Sequence, residues 1–299
     1  MKYQITHKTW YAYADLAPIC HNLVHLAPRN TDRQSCDSYR LRIDHAPAFL
    51  AQREDYFGNR AEHFSVEVAH RKLEIVAQSV VDVKPLAERP PVEMPAWEAC
   101  MVRPEKRAAE RARSSRILPL HWQFAFASPR VPLFPELRDY AHVSFAAGRP
   151  IAEALVELTA RIHLDFQFDP RATTVDTPLA EVLRMRRGVC QDFAHLAVGC
   201  LRAMGLAARY TSGYLRTNPP PGKPRLVGAD ASHAWCSAWC GPLGWVDFDP
   251  TNNCLLNDSY VTIAWGRDYG DVCPIQGVFV GGGEHSIGVS VDVAPCPAP

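Results

Sequence analysis

The sequence predicts an α+β fold, with an N-terminal β-sandwich domain followed by a core in which a cysteine-bearing helix packs on an antiparallel sheet. Three observations predict it. Residues 1–84 are rich in β-branched and aromatic residues that partly alternate with polar ones. Apolar residues then recur at helical spacing between about 151 and 205, and strand patterns return from about 207. Helices followed by strands, rather than alternating with them, mark an α+β half.

In the first half, "YQITHKTWYAY", "YRLRIDH", "EHFSVEVAH" and "LEIVAQSVVDV" read as strands, separated by turn chemistry such as "DYFGNR" at 55–60. "KPLAERPPVEMP" then breaks regular structure, and residues 85–120 read as a linker or irregular segment. Within it, "RPEKRAAERARSSR" (103–116) is a solvated basic face, with a docking surface for an acidic partner as the alternative. Residues 121–299 are assigned to the second domain. There "IAEALVELTARI" has Ile151, Leu155, Leu158 and Ile162 on one helical face. "TPLAEVLRMRRG" offers Thr177 as N-cap, Pro178 at the first helical position and Gly188 just past the end. The next helix is expected from Cys190 to Met204, buried through Phe193, Leu196, Ala197, Cys200 and Leu201, with Gly205 closing it. Strands follow at "AARYTSGYL", "SHAWCSAW" and "WVDFDP".

Composition narrows the function classes. Hydrophobic residues make up 47% of the 299 and charged ones 21%, a mix that buries a real core. Lys+Arg and Asp+Glu are both 32, so the charge balance points to neither a nucleic-acid nor a membrane partner. No apolar run approaches the ~18 residues of a spanning helix. "MKYQITHKTW" is polar and strand-like, unlike a signal peptide, and the ten cysteines form no compact disulfide framework. A reduced, cytoplasmic protein is expected.

Within "RRGVCQDFAHLAVGCLRAMG" (186–205), Cys190 stands at a helix start, close to unpaired N–H groups and the positive end of the dipole. Both favour thiolate over thiol, although a cysteine before an apolar stripe also serves as a core residue. A nucleophilic reading needs a base and an orienting group. His233 in "ADASHAWCSAW" opens a strand after a Pro/Gly-rich loop, where a side chain reaches a cleft or simply packs. "GWVDFDPTNN" supplies Asp247 and Asp249 on one strand face, and each also fits an ordinary turn-flanking aspartate. A zinc site from His233, Cys236, Cys240 and Cys254 is disfavoured. On one strand Cys236 and Cys240 lie roughly 13 Å apart, too far for a single ion.

These segments, "GVCQDFAHL…LRAMGLAARYTSGYL", "SHAW" and "GWVDFDPTNN", resemble the transglutaminase-like cysteine hydrolase superfamily in order and spacing. "TWYAY", "DYFGN" and the tail "WGRDYGDVCPIQGVFVGGG" resemble its bacterial two-domain branch. The resemblance implies a catalytic triad of Cys190, His233 and Asp249, with Asp249 rather than Asp247 in the family's Asp-Pro-Thr. It implies acyl transfer from a peptide or protein amide through a thioester, with no cofactor and no metal. Hydrolysis is expected over transfer to an amine, because the proline-rich loop before His233 reads as a polar rim open to water. Trp235 and Trp239 either wall the substrate groove or pack in the core, and Arg267, Asp268 and Tyr269 are candidates for its border.

Rival readings are an arylamine acetyltransferase, whose Arg-Gly-Gly-x-Cys pattern "RRGVCQD" lacks, and a binding protein on the same fold with a vestigial triad. A secreted calcium-dependent cross-linker is disfavoured by the lack of acidic calcium loops. The triad also imposes a register. A plain four-residue "GPLG" hairpin turns His233 and Asp249 to opposite faces, so an odd loop or a bulge is expected.

Overall fold

The structure is a computed structural model that describes residues 1–85, 94–102, 120–217 and 230–296. The basic run 103–116 and most of the proline-rich loop before His233 lie outside the described residues.

Six strands open the chain: β1 (Lys2–Ala17), β2 (Ile19–Val24), β3 (Gln34–Ile43), β4 (Phe49–Glu54), β5 (Arg60–Val66) and β6 (His70–Val83). Then come α1 (Pro135–His142), α2 (Ile151–Asp165), the short strand β7 (Gln167–Phe168), α3 (Leu179–Met185) and the short strand β8 (Arg187–Gly188). Helix α4 (Cys190–Ala203) is followed by β9 (Ala208–Leu215), β10 (Ala231–Trp239), β11 (Trp245–Asp249), β12 (Cys254–Leu255) and β13 (Tyr260–Gly266). A short helix α5 (Tyr269–Val272) leads to β14 (Ile275–Val280) and β15 (His285–Pro295).

The strands form two four-stranded sheets, β15-β1-β6-β3 and β14-β2-β5-β4, and a five-stranded sheet β12-β11-β10-β9-β13. All pairings within these three sheets are antiparallel, in keeping with the expected α+β class, while the short β7 and β8 pair in parallel. Tyr3, Ile5, His7 and Thr9 alternate inward along β1, the period-2 burial that its sequence predicts.

The C-terminal end differs from the division read in the sequence. Strands β14 and β15 leave the second half and complete the two N-terminal sheets. β15 pairs with β1 from Tyr3↔Pro295 to Tyr13↔His285, and β14 pairs with β2 from Ile275↔Val24 to Val280↔Ile19. Without them β1 and β2 would present long rows of unpaired N–H and C=O groups.

Two large apolar clusters, with a small third one of Trp235, Leu256 and Tyr260, hold the described residues together. One fills the sandwich with Tyr13, Cys20, Val24, Phe64, Val66, Leu73 and Ile75. The other surrounds α4, whose Phe193, Leu196, Val198 and Leu201 are buried, each worth roughly 1.5–3 kcal/mol. Tyr3, Ile5, Val81, Val83, Val291 and Val293 from the first sheet belong to this second cluster, so the two halves share a core.

Helix α3 stops earlier than expected. Its chain turns at Arg186, which takes the left-handed conformation at φ 57°, and Gly188 is used differently. Helix α4 ends as its sequence predicts, with Gly205 at φ 77° beyond the Met204 cap. The "DYFGN" turn is explained by Asn59, which donates to Asp55 (2.8 Å) and to the Trp265 carbonyl (2.9 Å) and accepts the Trp265 N–H (3.0 Å). It docks the sandwich onto β13.

Candidate active site

Cys190 is the first residue of α4, and the start of that helix is built by three neighbours. Val189 before it is extended, at φ −117°, and its N–H donates to Asp192 Oδ2 at 2.8 Å. The Thr173 hydroxyl donates to the same oxygen at 2.6 Å. A Cβ on Gly188 would lie 2.5 Å from Asp192 Oδ2 and 2.8 Å from its Cβ, so only glycine lets this carboxylate fold back. "GVCQD" is therefore one unit, which presents the half-buried Cys190 thiol in a first turn whose N–H groups have no intrahelical acceptor. Burial pushes the Asp192 carboxyl up, against the pull of Thr173 and Val189.

His233 lies on β10, and its relation to Asp249 depends on the turn into β11. The pairs Trp239↔Trp245, Ser237↔Asp247 and Cys236↔Phe248 leave a five-residue loop, Cys240 to Gly244, with a tight 3-10 turn at Gly241–Leu243. The loop is odd, as the expected pairing of His233 with Asp249 requires. Continued by one residue, this register sets Trp235 across from Asp249 and His233 diagonally beside it. His233 Nε2 meets Asp249 Oδ2 at 2.7 Å. Asp247 has another partner, the Ser237 hydroxyl.

The Asp249 carboxylate is fully buried yet saturated with donors. Oδ2 also accepts from Asn252 Nδ2 (2.6 Å) and the Tyr260 hydroxyl (2.8 Å), while Oδ1 accepts the N–H groups of Thr251 (2.8 Å) and Asn252 (3.3 Å). Burial alone would raise its pKa, but His233, Asn252 and Tyr260 together hold it below the usual carboxylate range. Burial likewise opposes the charge on His233. The hydrogen bond to Asp249 and the neighbouring Cys190 outweigh it and push the imidazole up to about 10. With Nε2 engaged by Asp249, Nδ1 is the ring nitrogen left for Cys190, and a charged ring donates from both.

A cleft of about 520 Å³ opens over this group. Val189, Cys190, Gln191, Tyr210, Ser212, His233 and Tyr269 line one side. The facing wall comes from the sandwich: His7, Thr9 and Tyr11 of β1, with Ile287, Val289 and Val291 of β15. His7 is held neutral, because burial lowers its pKa to about 4, and its ring nitrogens meet Thr9 Oγ1 (3.0 Å) and the Tyr214 hydroxyl (2.9 Å). Of the expected border residues, only Tyr269 lines the cleft. Arg267 pairs with Asp271, and Asp268 accepts the N–H groups of Gly270 (2.8 Å) and Arg130 (3.0 Å). Trp235 is buried, edge-on to Tyr260 at 5.5 Å, and Trp239 stacks on His121 at 4.2 Å, so neither tryptophan lines the cleft.

Residues 3–82 match the family model of the bacterial transglutaminase-like N-terminal region, and residues 139–250, which include Cys190, His233 and Asp249, match that of the transglutaminase-like superfamily. The chain belongs to the transglutaminase-like superfamily. An uncharacterized protein of Mycobacterium tuberculosis is 42% identical over 303 residues, covering 98% of this chain and 93% of the relative. An uncharacterized protein of Mycobacterium leprae is 32% identical over 295 residues, covering 97% of each. A Pseudomonas aeruginosa protein-glutamine gamma-glutamyltransferase is 32% identical over 136 residues, 45% of this chain and 19% of that protein. Among solved structures, a candidate cysteine protease from Cytophaga hutchinsonii superposes with a TM-score of 0.74 at 19% identity, covering 100% of this chain and 92% of that one. That likeness establishes the shared fold.

For this transglutaminase-like chain, sequence reasoning missed Asn252 and Tyr260, whose side chains complete the Asp249 shell. It also missed Tyr210 beside Cys190 and the wall supplied by the sandwich. Asn252 sits inside "DPTNN", where its position two residues after Pro250 is the one available signal.

Proposed function

We propose that the protein is a cysteine peptidase or amidase in which Cys190 is the nucleophile, His233 the acid and base, and Asp249 the group that orients His233. The observation that carries this reading is the 2.7 Å bond from buried His233 to buried Asp249, on a ring that lines the same cleft as Cys190. Cys190 Sγ attacks the amide carbonyl carbon, and the C=O pair moves onto oxygen. His233 then gives its Nδ1 proton to the amine as the C–N bond breaks, leaving a thioester. Water attacks with His233 as base, releasing the acid and restoring the thiol.

The oxyanion accepts from the Cys190 N–H at the helix start and from the Tyr210 hydroxyl. Tyr210 lines the same cleft, is almost wholly buried, and its hydroxyl has no hydrogen-bond partner among the described residues. Burial, with Cys190 next among the causes, raises its pKa well above the phenolic range, so it keeps the proton it donates. The apolar wall of Ile287, Val289 and Val291 suits an apolar side chain next to the scissile amide of a peptide or protein. All ten cysteines are free, which supports a reducing compartment, the cytoplasm. Among the described residues no helix is long and apolar enough to cross a membrane.

Hydrolysis is favoured over transfer, because among the described residues no tryptophan lines the cleft to shield the thioester. Transfer to an amine is the second reading, favoured by the likeness to the Pseudomonas aeruginosa gamma-glutamyltransferase. The test supplies peptide amides with excess primary amine and identifies products by mass spectrometry, wild type beside Cys190→Ala. Free acid that disappears in the variant supports hydrolysis. A dominant amine adduct overturns it, and turnover that survives Cys190→Ala overturns the triad.

A further inference from the structure

A second cavity, of about 770 Å³, lies on the face of the five-stranded sheet that carries Arg209, Trp239, Trp245 and Asp247. These alternate along their strands with Ala208, Tyr210, Cys236 and Ala238, which belong to the α4 core. The Arg209 guanidinium sits 4.3 Å from the Trp245 ring centre and 3.7 Å from that of Trp265, and the Arg29 guanidinium sits 3.6 Å from Trp265. Two cations this close to one ring must occupy its opposite faces. The result is a ladder, Trp245–Arg209–Trp265–Arg29, that runs from the sheet into the sandwich.

Arg29 has acceptors, the Phe57 carbonyl and Asn59 Oδ1. Arg209 has none among the described residues. It is 7% exposed, and its Nε is enclosed without a partner. Stacking occupies the two faces of the guanidinium, and the N–H edge of this cavity-lining residue has no acceptor among the described residues. Burial pulls its pKa down to about 10, with Asp247 as the chief opposing charge. Among the described residues the lining carries Arg29, Arg33 and Arg209 with Asp32 and Asp247, and Arg209 is the guanidinium whose N–H groups have no hydrogen-bond acceptor there. His121 adds nothing at neutral pH, since burial lowers its pKa below the usual value. One guanidinium edge without an acceptor, among aromatic rings, suits a single carboxylate on an apolar body.

We propose that this cavity binds a small organic monocarboxylate, its carboxylate on the N–H edge of Arg209 and its apolar body among Trp239, Trp245 and Phe124. The site is separate from the Cys190 cleft. Tyr260 lines the cavity, and its hydroxyl donates to Asp249.

The test uses the full chain with Cys190 first capped by iodoacetamide, so that no acid enters the catalytic cleft. N-acetylphenylalanine, its amide and inorganic phosphate are titrated while tryptophan emission is followed. A saturable change with the acid is expected, at least about tenfold weaker for the amide and for phosphate. Arg209→Gln should weaken the acid by a similar factor, and Arg209→Lys should restore part of it. If Arg209→Gln does not fold, the acid-to-amide ratio on wild type decides. Equal binding of acid and amide, or no saturable change with the acid up to tens of millimolar, overturns the inference. So does binding seen only before Cys190 is capped, since the acid would then sit in the catalytic cleft.

Discussion

Replacing Asp249 with Asn removes a charge while nearly preserving shape, and the structure makes that exchange costly. Five donors converge on the carboxylate, three on Oδ2 and two on Oδ1. In either orientation the new NH₂ faces at least two of them, with nothing to accept its own protons. The electrostatic part follows from His233, held at about 10 against an ordinary 6.5. At about 1.4 kcal/mol per unit that is roughly 5 kcal/mol, a ceiling, because Cys190 supplies part of it. The depressed Asp249 pKa is the same interaction seen from the other side and is counted once. Breaking one partner of a buried pair costs about 3–5 kcal/mol, so Asp249→Asn should lose on that order near pH 6.

The sign of the pH dependence follows from the raised pKa. Stability from His233 is complete below about 6.5 and is lost as pH rises through about 10. The gap between wild type and Asp249→Asn in urea unfolding should therefore narrow by about 2 kcal/mol or more at pH 10.5, leaving the cost of the unpaired donors. Ring NMR of His233 checks the premise directly. An unchanged gap at the two pH values, or a wild-type His233 that titrates near 6.5, refutes the reasoning.

Three further expectations follow from the site. Gly188→Ala drives a methyl into the Asp192 side chain and should destabilise by about 1–3 kcal/mol, with slower alkylation of Cys190; a melting temperature equal to wild type would contradict it. Iodoacetamide at neutral pH should modify Cys190 before Cys36, Cys254 and Cys273, whose thiols burial pushes up, and peptide mapping that ranks Cys190 among the slowest would remove the nucleophile reading. Tyr210→Phe should lower kcat by about 10²–10³ with KM and Cys190 alkylation unchanged, and Ser212→Ala should not; equal kcat in Tyr210→Phe would exclude the phenol from the oxyanion site.

The parts of the fold legible in the sequence are those where one residue pattern serves one demand. Helix α4 is readable because its apolar stripe and Gly205 agree, and the odd hairpin follows from requiring His233 and Asp249 on one face. Strand β4 is unreadable for the opposite reason: all six residues from Phe49 to Glu54 are exposed, so neither face imposes alternation. In β14 and β15, Val278, Val280, Ile287 and Val289 stay exposed, so their pattern marks strands without saying which sheet they join. The end of α3 misleads because Arg186, not a glycine, takes the left-handed turn, while Gly188 is kept for close approach to Asp192. Tyr260 and Asn252 carry no signal of their own. Their role is set by Asp249 in space, and Tyr260 lies eleven residues along the chain from it.

The pairing of the first strand with the last has a consequence for biosynthesis. Tyr3 finds its partner at Pro295, so the outer strand of that sheet is absent until Pro295 has left the ribosome. Contacts so distant in sequence form slowly, and until then β1 and β2 are open edges that invite pairing with another nascent chain. The same late strand brings Ile287, Val289 and Val291 to the cleft. A nascent chain thus carries its thiol helix well before it carries both walls of the groove, and ribosome-bound chains stalled before β15 should aggregate more readily than the released protein.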